Sequence, residues 1–227
     1  MYGATSGILR ALRNRRASGR VSNVTDEQPT RDLVAEFEAA YKTTPPWDIG
    51  APQPAFASLA ADGRLRGRVL DVGCGTGEHV LMAASAGCDA VGIDIASSAI
   101  RLAQAKASER GITARFIVGD ARELASLGEQ YDVVLDCGLF HVFDDEDRAP
   151  FVASLAAAIR PGGEYFMLCF SENEPPGWGP RRITQDEIRD AFSDGWRLEA
   201  IEPANINVTL RTEPVQSWFA SIARIAP

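Results

Sequence analysis

The stretch "RVLDVGCGTGEHV", residues 68–80, decides how the rest of the chain is read. A short apolar run, Val69 to Val72, leads directly into Gly73, Gly75 and Gly77. An apolar strand ending in bare backbone presents that end to a ligand, because glycine accepts positive φ and lets a ligand approach the main chain. Phosphates, dinucleotides and sulfonium nucleosides can all use such a loop. A phosphate-gripping loop needs Gly-Lys-Ser/Thr, and no lysine occurs here. A dinucleotide fingerprint places its third glycine where this chain has Glu78. A carboxylate in the first helical turn competes with a pyrophosphate for the positive end of the helix dipole. The loop therefore favours a zwitterionic or cationic ligand.

Outward from the loop, apolar strands alternate with helices. The pattern predicts strands near 68–72, 89–94, 114–118, 131–136 and 163–170, and helices near 78–86, 97–110, 146–159 and 184–192. "RPGG" (160–163) ends the helix before it. Such alternation indicates a parallel sheet covered on both faces. Asp94 closes the second strand, where an acid can accept hydrogen bonds from both hydroxyls of a ribose. Asp120 follows the third strand, within reach of an adenine amino group. Carboxylates at strand ends often only cap helices, and the glycine pattern alone recurs by chance. In register at successive strand ends, they form a specific set, because ligands of open α/β sheets bind there.

With these residues in place, "VLDVGCGTGE", "VGIDIASSAI", "VGDARELA" and "YDVVLDCGLFHVF" resemble, in order and spacing over residues 65–170, the class I S-adenosylmethionine-dependent methyltransferases. The resemblance implies a Rossmann-like, seven-stranded, mostly parallel sheet with an antiparallel last strand. That strand would be "VQSWFASIARI" (215–225), whose own pattern fits helix or strand. It also implies S-adenosyl-L-methionine as cofactor and S-adenosyl-L-homocysteine as product. Asp71, Gly73, Cys74, Gly75 and Gly77 would lie against the methionine part and Asp136 would approach its amine. Asp94 with Ile95 would hold the ribose, and Asp120 with Ala121 the adenine edge.

The residues after the fourth strand narrow the acceptor. Methyltransferases of nucleobase amino groups carry Asn/Asp-Pro-Pro-aromatic there, and this chain reads "DCGLF" (136–140). "TPPW" (44–47) and "NEPPGW" (173–178) stand elsewhere. "PPWDIGAPQPAF" (45–56) resembles the "PWDIG-x-PQP" segment of small-molecule methyltransferases related to thiol, thiopurine and tellurite-resistance enzymes. Its prolines predict an extended, stiff segment. By that resemblance residues 30–56 cover the cofactor, with Phe37, Tyr41 and Trp47 as aromatic cover; Trp47 can equally be a packing anchor. His141 is the candidate general base, since its ordinary pKa of about 6.5 suits proton removal near neutrality. The same histidine can instead shape the pocket or cap a helix. Tyr41, Phe140, Phe143 and Trp178 are the candidate acceptor pocket, and "SENEPPGWGPRR" (171–182) reads as a lid. Arg181 and Arg182 are either receptors for an anionic group or a solvated pair.

Composition sets the outer bounds. The 227 residues, 45% hydrophobic and 24% charged, suit one domain with a sizeable core. Net charge is −8, but residues 1–25 hold five arginines and no acid, leaving −13 on residues 26–227. So acidic a body repels polyanions, which argues against a nucleic-acid substrate. The basic leader reads as a disordered tail, as a targeting or membrane-surface helix, or as sequence ahead of a later start. Four scattered cysteines and two histidines form no metal-ligand pattern. The expected protein is a cytoplasmic monomer or weak dimer without stable membrane insertion. It transfers methyl to O, N or S of a small, aromatic or heterocyclic molecule, such as a xenobiotic or secondary metabolite. A dedicated thiol or metalloid methyltransferase is the alternative within enzymes, and a cofactor-binding regulator is the alternative outside them.

Overall fold

Val133, Val134 and Leu135 show how the sheet is built: alternate residues of one strand feed two separate apolar layers, and all three side chains are fully buried. In the structure, a computed structural model that describes residues 32–225, seven strands form one sheet. They are β1 (Arg68–Val72), β2 (Asp89–Asp94), β3 (Arg115–Val118), β4 (Tyr131–Cys137), β5 (Ile159–Phe170), β6 (Trp196–Ile206) and β7 (Val215–Arg224). Their order is β3-β2-β1-β4-β5-β7-β6, with β7 antiparallel to both neighbours and the pairs from β3 to β5 parallel. The fold is the expected Rossmann-like α/β sheet, and 215–225 resolves as a strand. The leader 1–25 lies outside the described residues.

Among the described residues, six helices flank the sheet: α1 (Leu33–Ala40), α2 (Pro54–Ala61), α3 (Glu78–Ser85), α4 (Ser97–Arg110), α5 (Asp145–Ala158) and α6 (Gln185–Ala191). Leu70, Val72 and Val134 meet Phe151 and Leu155 of α5 and Ile188 of α6 on one face. Val69, Val133 and Leu135 meet Phe56 of α2 and Val80 of α3 on the other. Each such fully buried side chain contributes about 1.5–3 kcal/mol by removing apolar surface from water. No described helix is long and apolar enough to cross a membrane.

Two local expectations are corrected. The proline-rich segment ends at Gln53, because Pro54 opens α2 at a helical N-terminus, where its missing N–H costs nothing. β5 begins at Ile159 rather than near 163: a register shift against β4 between Tyr131 and Val133 absorbs "RPGG" inside the ladder. The order of the strands reverses between β1 and β4. Their carboxyl ends therefore part there and leave a crevice, which is where ligands of such sheets bind.

Candidate active site

The crevice is an elongated cleft enclosing about 1430 Å³ of empty space, its open mouth included. One end is built by the loop after β1. Gly73, Gly75 and Gly77 adopt φ of 67°, 52° and 87°, which aligns bare backbone along the cleft and starts α3 directly behind it. Tyr41 lies across this loop: a Cβ at Gly75 would stand 2.8 Å from its hydroxyl oxygen. Trp47 Nε1 donates to that same oxygen at 3.1 Å, and Phe37 meets the Trp47 ring edge-on at 6.1 Å. Together they form an aromatic roof over the glycine loop.

The roof is fastened at four points. Asp48 Oδ2 accepts from Thr76 Oγ1 at 2.9 Å, inside the loop itself. Gln53 exchanges two hydrogen bonds with the backbone of Asn207, at 2.9 and 2.8 Å, and the Gln53 N–H donates to His79 Nε2 at 3.1 Å. Pro46 O accepts from the Thr209 N–H at 2.9 Å. Glu38 accepts from the N–H groups of Ser97 and Ser98 and from Ser98 Oγ, tying α1 to the start of α4. Those hydrogen bonds hold the Glu38 pKa down to about 2. Replacing Gln53 by alanine removes two hydrogen bonds worth about 0.5–1.5 kcal/mol each. The expected result is a faster release of bound cofactor, roughly fivefold or more, read by stopped-flow with the melting temperature as control.

The acids take distinct places. Asp94 is buried at the tip of β2, with Oδ2 accepting from Gly75 N–H and Oδ1 from Ala96 N–H, each at 2.8 Å; burial raises its pKa. Asp120 lines the cleft and caps the 3-10 turn Ala121–Leu127, paired with Arg122, and Ala121 lines the cleft beside it. Asp71 sits beneath the loop, fully buried, and neither carboxylate oxygen has a hydrogen-bond partner among the described residues. Burial, then the charges of Asp136 and Asp94, push its pKa well up. His79 Nδ1 faces it at 3.8 Å, while burial lowers the His79 pKa to about 4. Gln53 N–H occupies His79 Nε2, so the neutral ring turns its Nδ1–H toward Asp71, and Asp71 itself does not line the cleft.

The other end of the cleft is aromatic. Phe170 and Trp178, their ring centres 5.5 Å apart, line it with His141, while Phe143 lines the cleft near Asp120, packed on Phe151 at 4.8 Å with Arg122 6.0 Å from its ring. His141 follows β4 in a 3-10 turn, Phe140–Val142, and packs edge-on against Phe170 at 4.9 Å. Its Nδ1 accepts the Phe170 N–H at 3.0 Å, so the neutral ring carries its proton on Nε2. Burial, then the nearby Arg182 charge, lower its pKa to about 3.

Four expected residues stand elsewhere, the first being Asp71, sealed beneath the loop and off the cleft. Phe140 is fully buried outside the cleft, between Phe192 at 5.9 Å and the Arg148 guanidinium at 4.8 Å, because the 3-10 turn rotates it inward. Asp136 does not reach the cleft: its oxygens accept from Leu139 N–H at 2.7 Å, Phe140 N–H at 3.1 Å and Tyr165 Oη at 2.6 Å. Burial raises its pKa to about 6 against those hydrogen bonds. Arg181 pairs with Asp145 and Glu187 and is no solvated receptor. Conversely, Gln53, Thr76, His79, Leu139, Phe170 and Val208 line the cleft without having been singled out. Gln53, Thr76, His79 and Leu139 carried a signal, through their places in the "PWDIG-x-PQP" segment, the glycine-loop stretch and "DCGLF".

Residues 69–163 match the family described as a methyltransferase domain. A 2-heptyl-1-hydroxyquinolin-4(1H)-one methyltransferase of Mycobacteroides abscessus is 35% identical over 188 residues, which is 78% of this chain and 83% of that protein. The chain belongs to the class I S-adenosylmethionine-dependent methyltransferases. An Arabidopsis thaliana protein named "Probable thiol methyltransferase 2" is 31% identical over 63% of this chain and 64% of its own length. A solved structure from work on conversion of a disulfide bond into a thioacetal group during echinomycin biosynthesis is 34% identical. It superposes with a TM-score of 0.78, over 85% of this chain and 93% of that one. For this methyltransferase, S-adenosylmethionine is the cofactor, and the cleft fits it. Gly73, Gly75 and Gly77 line it with bare backbone, and Asp94 and Asp120 line it from the ends of β2 and β3.

Proposed function

We propose that this methyltransferase methylates a hydroxyl or thiol of a small, flat heteroaromatic molecule. The observation that carries the reading is the aromatic end of the cleft, where Phe170 adjoins His141 at 4.9 Å and Trp178 at 5.5 Å within one cavity that reaches the glycine loop. Flat apolar rings are recognised by such walls, and one polar group fixes their orientation. The names of the two relatives, one acting on a hydroxyquinolinone and one on thiols, support the same class of acceptor. In this reading the "PWDIG-x-PQP" segment, residues 46–54, is the roof that marks the small-molecule group.

When bound, S-adenosylmethionine supplies an electrophilic methyl group on a sulfonium. The chain's own part is to hold and dry the two reactants. Asp94 would hold the ribose, and Asp120 with Ala121 would border the adenine. Tyr41 and Trp47 close the cleft against water, and Trp178 with Phe170 aligns the acceptor ring. Such positioning accounts for up to about 7–11 kcal/mol of a displacement barrier in well-oriented systems.

His141 serves as a hydrogen-bond donor rather than the base. Its Nδ1 lone pair is spent on Phe170 N–H, and Nε2, which has no other partner among the described residues, carries the proton. It orients the acceptor heteroatom through Nε2–H. His141→Ala is therefore expected to slow transfer to a phenol by roughly tenfold, the scale of one hydrogen bond of about 1.5 kcal/mol. The loss should persist from pH 6 to about pH 10, where the phenol ionises unaided. A defect that vanishes at high pH would mean that His141 takes the proton after all.

The test of the function is kcat/KM on matched panels of hydroxylated heteroaromatics and aliphatic thiols. Faster turnover of the first panel supports the reading. Faster turnover of simple thiols moves it to a dedicated thiol methyltransferase.

A further inference from the structure

Arg182 makes no ion pair with a described carboxylate, although the charge of Glu174 acts on it and offsets part of its own. It sits in the segment 171–183, the stretch read as a lid, which its side chain ties together. Nη1 donates to Trp178 O and Pro180 O, both at 2.6 Å, Nε to Glu174 O at 3.3 Å, and Nη2 to Pro175 O. Carbonyls satisfy its hydrogen bonds but leave the charge. The guanidinium lies 5.5 Å from the Phe170 ring centre and 6.0 Å from that of Trp178, directly behind two walls of the cleft.

The other charges here are committed. Glu174 pairs with Arg211 at 3.1 Å and accepts Gln216 N–H at 2.9 Å. Arg211 itself lies 4.6 Å over Trp178, so a second guanidinium flanks the same ring. Glu172 accepts from Trp218 Nε1, Arg181 is held by Asp145 and Glu187, and Asp136 is sealed under Tyr165. Facing all of these from the 3-10 turn, His141 is neutral and offers an N–H. Through apolar rings the field of a guanidinium is weakly screened. The Arg182 charge that disfavours an imidazolium at His141 favours an anion beside it.

We propose that the acceptor is bound as its anion, an aryl oxide or thiolate, held by His141 Nε2–H in the field of Arg182. This rests on the small-aromatic reading above and deepens it. The acceptor's O–H or S–H bond breaks before transfer, its electron pair stays on the heteroatom and its proton goes to solvent water. No side chain on the cleft has to accept it.

The test is a spectroscopic titration of 4-nitrophenol and 4-nitrothiophenol, whose anions are coloured, bound to the full chain saturated with S-adenosylhomocysteine. The neutral sulfur of that product leaves the chain's own charges as the source of any shift. The expected result is an ionisation midpoint of the bound probe at least about one unit below that of the free probe, equivalent to tenfold tighter binding of the anion. Arg182→Lys should keep most of the shift and Arg182→Gln should lose most of it. Affinity for the protonated probe, measured at low pH, reports whether each variant keeps the pocket. Should Arg182→Gln lose that as well, the wild-type midpoint decides by itself. A bound midpoint equal to or above the free value overturns the proposal while leaving the aromatic acceptor in place. If neither probe binds, the aromatic reading falls and takes the proposal with it.

Discussion

Asp94→Ala is expected to weaken S-adenosylmethionine binding by about 1.5–3 kcal/mol, roughly 10- to 150-fold, the scale of lost hydrogen bonds to a charged group. Two losses combine in it. The ribose loses its acceptor, and the N–H groups of Gly75 and Ala96 lose theirs at the point where the glycine loop meets β2. Asp94→Asn keeps one acceptor oxygen and should lie between wild type and alanine. Because burial raises the Asp94 pKa, its carboxylate is protonated earlier than an exposed one as pH falls. Wild-type affinity should therefore decline on acidification above the usual carboxylate range, and the alanine variant should show less of that decline. Calorimetry giving the same affinity for wild type and alanine variant would remove Asp94 from the site.

Gly77→Ala is expected to damage both fold and site. The residue has φ of 87°, and a Cβ there would stand 2.8 Å from Phe116 Cε1 and 3.0 Å from Ala103 Cβ. The left-handed backbone costs an alanine about 1–2 kcal/mol, and overpacking against β3 and α4 adds about 1–3 kcal/mol. For a chain of this size, that loss lowers the melting temperature by on the order of 5–15 °C. Cofactor binding should fall with it, because the loop can relieve the contact only by moving off the cleft. Phe116→Leu should recover part of the loss. A variant that melts with wild type and binds normally would show that the loop tolerates a side chain here.

The parts of the fold that were legible are those whose signal is local. Glycine spacing, strand-end acids and the alternation of strands with helices each occupy a few consecutive residues, and they located β1, β2, β3 and the glycine loop at the cleft. The acceptor end was less legible, for reasons visible in individual residues. Phe140 and Phe143 are both apolar residues beyond β4, yet a single 3-10 turn buries one in the core and presents the other to the cleft. Asp136 ends its strand much as Asp94 does, but Tyr165, 29 positions later, turns its carboxylate into the protein. Phe170 and Val208 reach the cleft from strand ends that only the sheet order brings together. His141 was found by its chemistry, whereas the hydrogen bond that sets its tautomer comes from a backbone N–H far along the chain.

A structure of the ternary complex with S-adenosylhomocysteine and a hydroxylated heteroaromatic tests the central claim most directly. The account predicts the acceptor ring against Trp178 and Phe170, with its oxygen on His141 Nε2. That oxygen should face the cofactor sulfur along a line that leaves room for one methyl group about 3–3.5 Å from it in the reactive complex. An acceptor bound outside the cleft, or inside it with its oxygen turned away from the glycine loop, would contradict the account.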